Sequence, residues 1–283
     1  MRLQSFLSQA GISSRRSVIQ ELEDGKVKVN GEVVRIPSYP IFPGKDQVTY
    51  LDQEVTLYSR KTYFIFNKPR GVITTAKDTH GRKTVLDYFK NMKERLYPVG
   101  RLDQDTTGLL LLTNDGDLAN KLMHPRFGVE KVYEALLDQE VSKEKISQLE
   151  SGVVIEGIKT SPCKIKILSV RDGKSRVEIV LHEGRKRQIR NMFQAIGIKV
   201  VHLHRKRYGP LNLKGLTPGK SRLLTSEELT MLLKAVSQKP TRGGERERKD
   251  RFSVKGGNEP AHDASAREHR GHRLRRRDSF HRG

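Results

Sequence analysis

The segment at 100–108 reads GRLDQDTTG and places a carboxylate, Asp103, two residues after Arg101. Four leucines follow at 109–112, and this run, too short for a helix, predicts a buried strand. Asp103 is therefore expected at the mouth of a packed sheet, where burial and a neighbouring guanidinium fix the charge state of its carboxylate. Such a carboxylate suits a catalytic site, although a solvated aspartate in a surface ion pair would use the same residues.

Further aspartates in this region allow a second chemistry. A metal-dependent phosphoryl-transfer or nuclease site would draw on Asp103, Asp105, Asp115 and Asp117. Their spacing lacks the pattern of an EF-hand calcium loop, and the arginine before Asp103 opposes cation binding. The nine histidines are scattered, and no spacing of histidine and cysteine resembles a metal site. The sequence therefore predicts no bound metal, and activity that survives EDTA would count against this second chemistry.

The elements that must hold Asp103 belong to the second of two units. Patterns of apolar residues predict strands at 63–66, 72–75, 109–112, 131–137, 164–170 and 177–181. A helix is predicted at 187–196, with its apolar residues on one face, and a shorter helix is predicted after Asp117 as its N-cap. Because strands outnumber helices and are mixed with them, the predicted fold class is α+β with a mixed, mainly antiparallel sheet.

The first unit is small. Apolar residues spaced as on one helical face predict a helix at 2–10, and Ser13 or Ser14 is expected to cap a second helix. Asn30-Gly31 predicts the turn of a β-hairpin. The predicted domains are therefore a helix and hairpin domain at 1–58, a larger domain at 61–236 and a disordered basic tail at 239–283.

The charge of the chain points to a polyanionic partner. The formal net charge is +22 over 283 residues, with a pI near 10.1. The tail has 14 lysines and arginines against 7 aspartates and glutamates, which leaves +15 on the rest. Nucleic acid is the first candidate and an anionic membrane the second. The tail is either a solubility segment or a nonspecific RNA-binding arm. With one cysteine and no apolar run of membrane-spanning length, we expect a cytoplasmic protein without disulfides.

Several motifs together resemble one family. AGISSRR at 10–16 and VKVNG at 27–31 resemble the S4 RNA-binding domain. The second unit resembles the bacterial ribosomal RNA pseudouridine synthases that carry such a domain. The matching pieces are NKPRG at 67–71, GRLD at 100–103, TGLLLLTNDG at 107–116, KVY at 131–133 and EGRKRQIR at 183–190.

The resemblance implies isomerisation of a uridine within ribosomal RNA, with large-subunit RNA favoured, and no cofactor. By the same resemblance Asp103 is the catalytic nucleophile, Arg190 is its salt-bridge partner, Arg101 helps to hold the flipped-out RNA and Tyr133 is the active-site tyrosine. Whether Asp103 attacks the sugar or the base stays open. A buried carboxylate needs a cation to remain ionised, and an aromatic ring can stack on an extruded base.

The resemblance and the charge pattern together predict an RNA-binding set. Its members are Arg2, Ser14, Arg15, Arg16, Lys26, Lys28, Asn30, Lys68, Arg185, Lys186 and Arg187. The expected partner is ribosomal RNA or a pre-ribosomal particle, with no membrane, and the chain is expected to be a monomer. The remaining alternative is a non-catalytic RNA-binding or ribosome-assembly protein, which the sequence does not favour because a pure RNA binder has no use for a carboxylate facing phosphates.

Overall fold

The protein is represented by a computed structural model that describes residues 1–57, 60–75, 78–92 and 94–237. The basic tail predicted at 239–283 lies outside the described residues. The predicted division near residue 58 also falls on residues that the structure does not describe, so the domain boundaries stay a prediction.

The first unit contains two short helices and a small sheet. Its elements are α1 (Leu3–Gln9), α2 (Ser17–Glu23), β1 (Val27–Val29), β2 (Glu32–Val33), β3 (Val48–Tyr50) and β4 (Gln53–Glu54). The strand order is β2-β1-β3-β4, and all pairs are antiparallel. The predicted turn at Asn30-Gly31 joins β1 to β2 with positive φ at both residues. The Ser14 hydroxyl accepts a hydrogen bond from the Ser17 backbone, but the N-cap position of α2 is Arg16, so neither predicted serine occupies it.

The second unit is larger. Its strands are β5 (Tyr63–Lys68), β6 (Tyr97–Pro98), β7 (Thr106–Thr113), β8 (Lys131–Leu137), β9 (Val154–Ile155), β10 (Ile158–Lys159), β11 (Lys164–Arg171), β12 (Lys174–Leu181), β13 (Val200–Tyr208), β14 (Leu211–Asn212) and β15 (Ser221–Leu223). Its α-helices are α3 (Gly116–Met123), α4 (Lys143–Glu150), α5 (Gln188–Ala195) and α6 (Ser226–Ser237). Short 3₁₀ helices span Val85–Phe89 and Pro125–Phe127.

A nine-stranded sheet organises this unit, in the order β11-β12-β8-β13-β7-β5-β15 with β14 and β6 added beside β13 and β7. Among the described residues the β7–β13 pair is parallel, and the other strand pairs are antiparallel. The predicted α+β class with a mixed, mainly antiparallel sheet is thus confirmed.

The leucine run is apolar throughout because β7 lies inside the sheet with both faces covered. Leu109 and Leu111 pack into a cluster with the helices α3 and α6. Leu110 and Leu112 point to the opposite face and pack with Phe66. A strand whose two faces are both buried reads as a continuous apolar run rather than an alternation.

Two predicted elements are wrong in detail. Residues 72–75 form no strand; Ile73 makes one isolated bridge to Thr84, and the Thr74 hydroxyl donates to the Leu102 carbonyl instead. The N-cap of α3 is Asp115 rather than Asp117, because the Asp115 side chain accepts from the Leu118 backbone. The strands and helix predicted at 131–137, 164–170, 177–181 and 187–196 are confirmed within a few residues.

Candidate active site

A cavity of about 740 Å³ opens on the central sheet. Its floor comes from β8 and β13, and its walls from the loop before β7 and the segment before α5. The members of the predicted site that line it are Arg101, Asp103, Tyr133, Arg185, Lys186 and Arg187. The structure thus gathers residues from positions 101 to 187 around one concave surface of the size that small ligands occupy.

Hydrogen bonds from two buried side chains, Lys68 and Thr74, hold the loop that carries Asp103. Lys68 is completely buried, and its ammonium donates to the carbonyls of Pro69, Gln104 and Thr106. The Thr74 hydroxyl donates to the carbonyl of Leu102 at 2.9 Å. Because the backbone on both sides of Asp103 is held in this way, the half-buried carboxylate has a defined position at the cavity wall.

Lys68 therefore supports the loop and does not bind RNA, which corrects its predicted role. A phosphate cannot reach an ammonium with no exposed surface. Burial lowers the pKa of Lys68 to about 8, and the nearby charges of Asp105 and Asp103 oppose that shift. The buried cation thus stabilises negative charge on this loop.

Arg190 makes a different ion pair from the predicted one. Its Nη2 atom lies 3.0 Å from a carboxylate oxygen of Asp105, and its Nη1 donates to the Val200 carbonyl at 2.8 Å. Among the described residues, no ion pair within 4.0 Å involves Asp103. The reason is geometric: Asp105 and Asp103 lie on the same tight loop, and Asp105 is the one nearer to α5. Burial lowers the pKa of Arg190, and Asp105 and, more weakly, Asp103 oppose this shift.

Arg101 and Tyr133 both line the cavity but differ in exposure. Arg101 is exposed on the loop before β7, as a residue that contacts RNA would be. Tyr133 is half-buried on β8, with its ring at the floor. A flat aromatic floor beside a fixed carboxylate is suited to an extruded base.

A polar network shapes the wall before α5. The Glu183 carboxylate accepts from Gln188 and from the backbone and hydroxyl of Ser161. Arg185 donates to the carbonyls of Ile158 and Lys159 at the β9–β10 hairpin. Arg185 thus ties that hairpin to the cavity wall, and its predicted contact with RNA stays a prediction. Lys186 and Arg187 remain exposed at the rim.

The predicted set of site residues does not contain two basic residues of the floor, Arg205 and Lys131. Arg205 is 2 % exposed, although charged residues are rarely buried so deeply. Burial lowers the pKa of Lys131 to about 8, helped by the charge of Arg205. The signal was present in the pattern of β13, where Arg205 follows Leu203 by two positions and so shares its buried face.

Comparisons with known proteins agree with this geometry. Residues 62–195 match the sequence profile of the family described as RNA pseudouridylate synthase, and residues 1–46 match that of the S4 domain. The chain is 47% identical over 233 residues to "Ribosomal large subunit pseudouridine synthase B" of Bacillus subtilis, which covers 82% of this chain and 95% of that protein. It belongs to the RNA pseudouridine synthases.

Two further comparisons extend this relationship. An uncharacterized RNA pseudouridine synthase of Aquifex aeolicus is 41% identical over 240 residues, 84% of this chain and 96% of that protein. A crystal structure of a pseudouridylate synthase is 32% identical, with a TM-score of 0.60, and covers 82% of this chain and 99% of that chain. The family and the fold both identify the chain as an enzyme, a pseudouridine synthase.

In the S4 unit of this synthase the predicted RNA-binding residues differ in availability. Arg2, Arg15 and Arg16 are exposed. Lys26 pairs with Glu21 and Asp24, and Lys28 pairs with Asp52. Asn30 is exposed, but its side chain already bonds to Asp46 and to the Gln47 backbone. Since exposed ion pairs are weak, a phosphate can replace these carboxylates.

The aspartates of the alternative metal chemistry do not converge on one point. Asp105 pairs with Arg190 and Arg187, whereas Asp115 caps α3 and pairs with Lys61. In the part of the chain that the structure describes, no three acidic, histidine or cysteine side chains are grouped as metal ligands. Within the same part, no helix is long and apolar enough to cross a membrane.

Proposed function

We propose that the synthase isomerises one uridine of ribosomal RNA from the large subunit to pseudouridine, with Asp103 as the catalytic nucleophile. The observation that supports Asp103 is its half-buried carboxylate at the cavity wall, on a loop that the buried Lys68 holds through the carbonyls of Gln104 and Thr106. The choice of RNA is supported by the relative from Bacillus subtilis, whose name specifies the large ribosomal subunit.

The reaction only exchanges bonds within one nucleotide. The bond between N1 of uracil and C1′ of ribose breaks, the base turns, and a bond forms between C5 and C1′. The proton on C5 leaves and N1 gains a proton, so atoms and electrons balance without an oxidant or a reductant. Attack by an ionised Asp103 on the sugar or on the base would hold one fragment while the other turns, and the two routes stay open.

The other residues take roles that follow from their positions. Tyr133 at the floor stacks on the extruded base, and the exposed Arg101 contacts the RNA backbone beside it. Arg190 orients the loop through Asp105 and so keeps Asp103 in place. Lys186 and Arg187 at the rim, with Arg15 and Arg16 in the S4 unit, neutralise phosphates.

The proposed division of labour follows the domains at 1–58 and 61–236, the first binding RNA and the second carrying out the reaction. A monomer suffices because every proposed site residue comes from one chain. The location of the RNA substrate makes the cytoplasm the proposed compartment.

The direct test uses purified protein and a large-subunit ribosomal RNA transcript. We expect one uridine to become pseudouridine, detected by mass spectrometry of nuclease fragments. Asp103→Asn removes the charge but little volume and should lower kcat by at least about a thousandfold while RNA binding persists. Its matched control is Asp117→Asn, an exposed acid on α3 outside the cavity, which should leave kcat unchanged.

The outcomes separate the candidate functions. Unchanged pseudouridine formation by Asp103→Asn would exclude Asp103 as the nucleophile. RNA binding without any pseudouridine in the wild-type reaction would favour the non-catalytic RNA-binding alternative. Comparison of pseudouridines in ribosomal RNA from cells with and without the protein identifies the target, and a site in small-subunit RNA would contradict the proposed substrate.

A further inference from the structure

Arg205 is a buried cation of the cavity floor to which the proposed function gives no role. It stands on β13, level with Gly108 on β7 and with Tyr133 on β8. Residues opposite each other on paired strands direct their side chains to the same face of the sheet. Arg205 and Tyr133 are therefore neighbours on the face that forms the cavity floor.

The backbone of Arg205 is fixed by a close approach of two strands. A Cβ atom at Gly108 would lie 2.3 Å from the carbonyl oxygen of Arg205 and 2.7 Å from its nitrogen. Only glycine fits between the two chains there, and its φ of +105° is also one that other residues rarely adopt. The close packing of β7 against β13 thus fixes the position of the Arg205 backbone, from which the side chain extends.

The guanidinium of Arg205 is held on two further sides. Its Nε donates to the Leu109 carbonyl at 2.6 Å. Its Cζ lies 5.1 Å from the ring centre of Tyr208, a cation–π distance. Tyr208 is itself anchored, because its hydroxyl donates to the Leu122 carbonyl at 2.9 Å. The plane of the guanidinium is therefore defined before any substrate binds.

The two terminal nitrogens of Arg205 are less completely bonded than its Nε. Nη1 lies 3.5 Å from the hydroxyl oxygen of Tyr133, at the long end of hydrogen-bond range. Nη2 is buried and has no hydrogen-bond partner among the described residues. A shorter contact between Nη1 and the Tyr133 hydroxyl would strengthen a hydrogen bond from a charged donor in a buried setting.

From these contacts we infer that Arg205 is a positioning residue, which holds the Tyr133 hydroxyl and thereby sets the angle of the ring on which the uracil stacks. This inference rests on the proposed function, in which Tyr133 contacts the base. The Tyr133 ring centre lies 6.0 Å from Cζ of Arg205, at the outer limit of a cation–π contact, so the hydroxyl is the main link between the two side chains. Removal of the hydroxyl should therefore make Arg205 nearly dispensable for turnover.

A double-mutant cycle tests this dependence. Arg205→Met and Tyr133→Phe should each lower kcat about tenfold, the loss expected for one hydrogen bond to a charged group, with KM changed by less than about twofold. The double variant should match the single variants, because both remove the same interaction. A double variant about a hundredfold slower than wild type would show independent effects and overturn the inference.

The matched control is Arg207→Gln, which removes an exposed guanidinium from the same strand, outside the cavity lining. Its kcat should equal that of the wild type. Melting temperatures identify variants that fail to fold, and in that event Arg205→Lys replaces Arg205→Met, since a lysine keeps the charge but loses the planar fork.

A second measurement does not depend on turnover. With 3-fluorotyrosine at position 133, the ¹⁹F resonance should move and broaden in the Arg205 variant but not in Arg207→Gln. An unmoved resonance would overturn the inference even if the wild type is active. If the resonance moves but the wild-type protein forms no pseudouridine, the contact between Arg205 and Tyr133 is supported and the proposed function is refuted.

Discussion

Arginines lie beside the cavity and at the start of α6, which we call the α6 anchor, but they differ in how many of their N–H groups have hydrogen-bond partners. At the α6 anchor, Arg222 makes a bidentate pair with Glu228 at 2.7 and 2.8 Å. Glu228 also accepts from the Thr225 backbone and completes a capping box for α6. Around the cavity, the Nε of Arg190 and the Nη2 of Arg205 are buried and have no partner among the described residues.

We expect this difference to separate groups that stabilise the fold from groups that serve the reaction. A fully paired arginine has no capacity left for a substrate, whereas an incompletely paired cation retains donors or positive potential for one. Buried unsatisfied donors cost stability, and a functional role is one reason why a folded protein retains them. We therefore expect substitutions at the two places to affect different measurements.

The largest contrast is expected between Arg190→Met and Arg222→Met. Loss of Arg190 frees Asp105 and the loop that carries Asp103, so kcat should fall about a hundredfold while the melting temperature changes little. Arg222→Met leaves Glu228 buried without its cation and should lower the free energy of unfolding by about 3 kcal/mol, with kcat at 25 °C intact. Steady-state kinetics and urea unfolding check both, and equal effects of the two variants on kcat would remove the distinction.

Next in size is the effect of Glu228→Gln, which depends on pH. Hydrogen bonds from Arg222 lower the pKa of Glu228 to about 2, below its value of 4.5 in the unfolded chain. The ion pair therefore contributes stability above pH 4.5 and loses it as the pH falls toward 2. At pH 7 the variant should be less stable by about 2 kcal/mol, and the deficit should shrink by pH 3. A deficit that is the same at pH 7 and pH 3 would show that the charge of Glu228 is not its source.

A smaller effect is expected from Asp105→Asn. The substitution keeps the shape but removes the charge that Arg190 and Arg187 share. Because Asp105 acts only on the position of the loop, kcat should fall about tenfold, far less than for Asp103→Asn. Single-turnover rates at saturating RNA measure both variants, and if Asp105→Asn were as inactive as Asp103→Asn, the two carboxylates would have to exchange their proposed roles.

The smallest effect concerns Lys68. Burial lowers its pKa to about 8 from 10.5, so the folded state binds its proton less tightly than the unfolded state. The contribution of Lys68 to stability therefore rises as the pH increases from about 8 to 10.5. Relative to Lys68→Met, the wild type should gain stability over this interval in urea unfolding, with Lys90→Met, an exposed lysine, as the control. A constant difference would contradict the lowered pKa.

The sequence predicts the strand at 109–112 and the helix at 187–196 because each carries an apolar pattern of its own. It also predicts the class of the fold and a catalytic loop ahead of a buried strand. The parts of the fold that the sequence does not predict are determined by hydrogen bonds between segments that are distant in the chain. Thr74 bonds to the loop instead of extending a strand, and nothing near Thr74 in the sequence signals that partner.

The roles of lysines and arginines in the site are the least predictable part. Lys68 and Arg185 look like phosphate ligands in a basic sequence, yet backbone carbonyls of other segments take their donors. Arg190 has two acidic candidates two residues apart, and the sequence cannot say which is nearer to α5. Which of two candidate partners a side chain contacts depends on small differences in the distance between elements. A local sequence pattern contains no information about those distances.

The parallel pairing of β7 with β13 also constrains when activity can arise during synthesis. Leu203 pairs with Thr106 across 97 positions of chain, so the floor of the cavity does not exist until β13 has been made. Contacts between such distant residues form late, because a long loop must close first. A growing chain can therefore complete its S4 unit and acquire RNA affinity well before it can process a base.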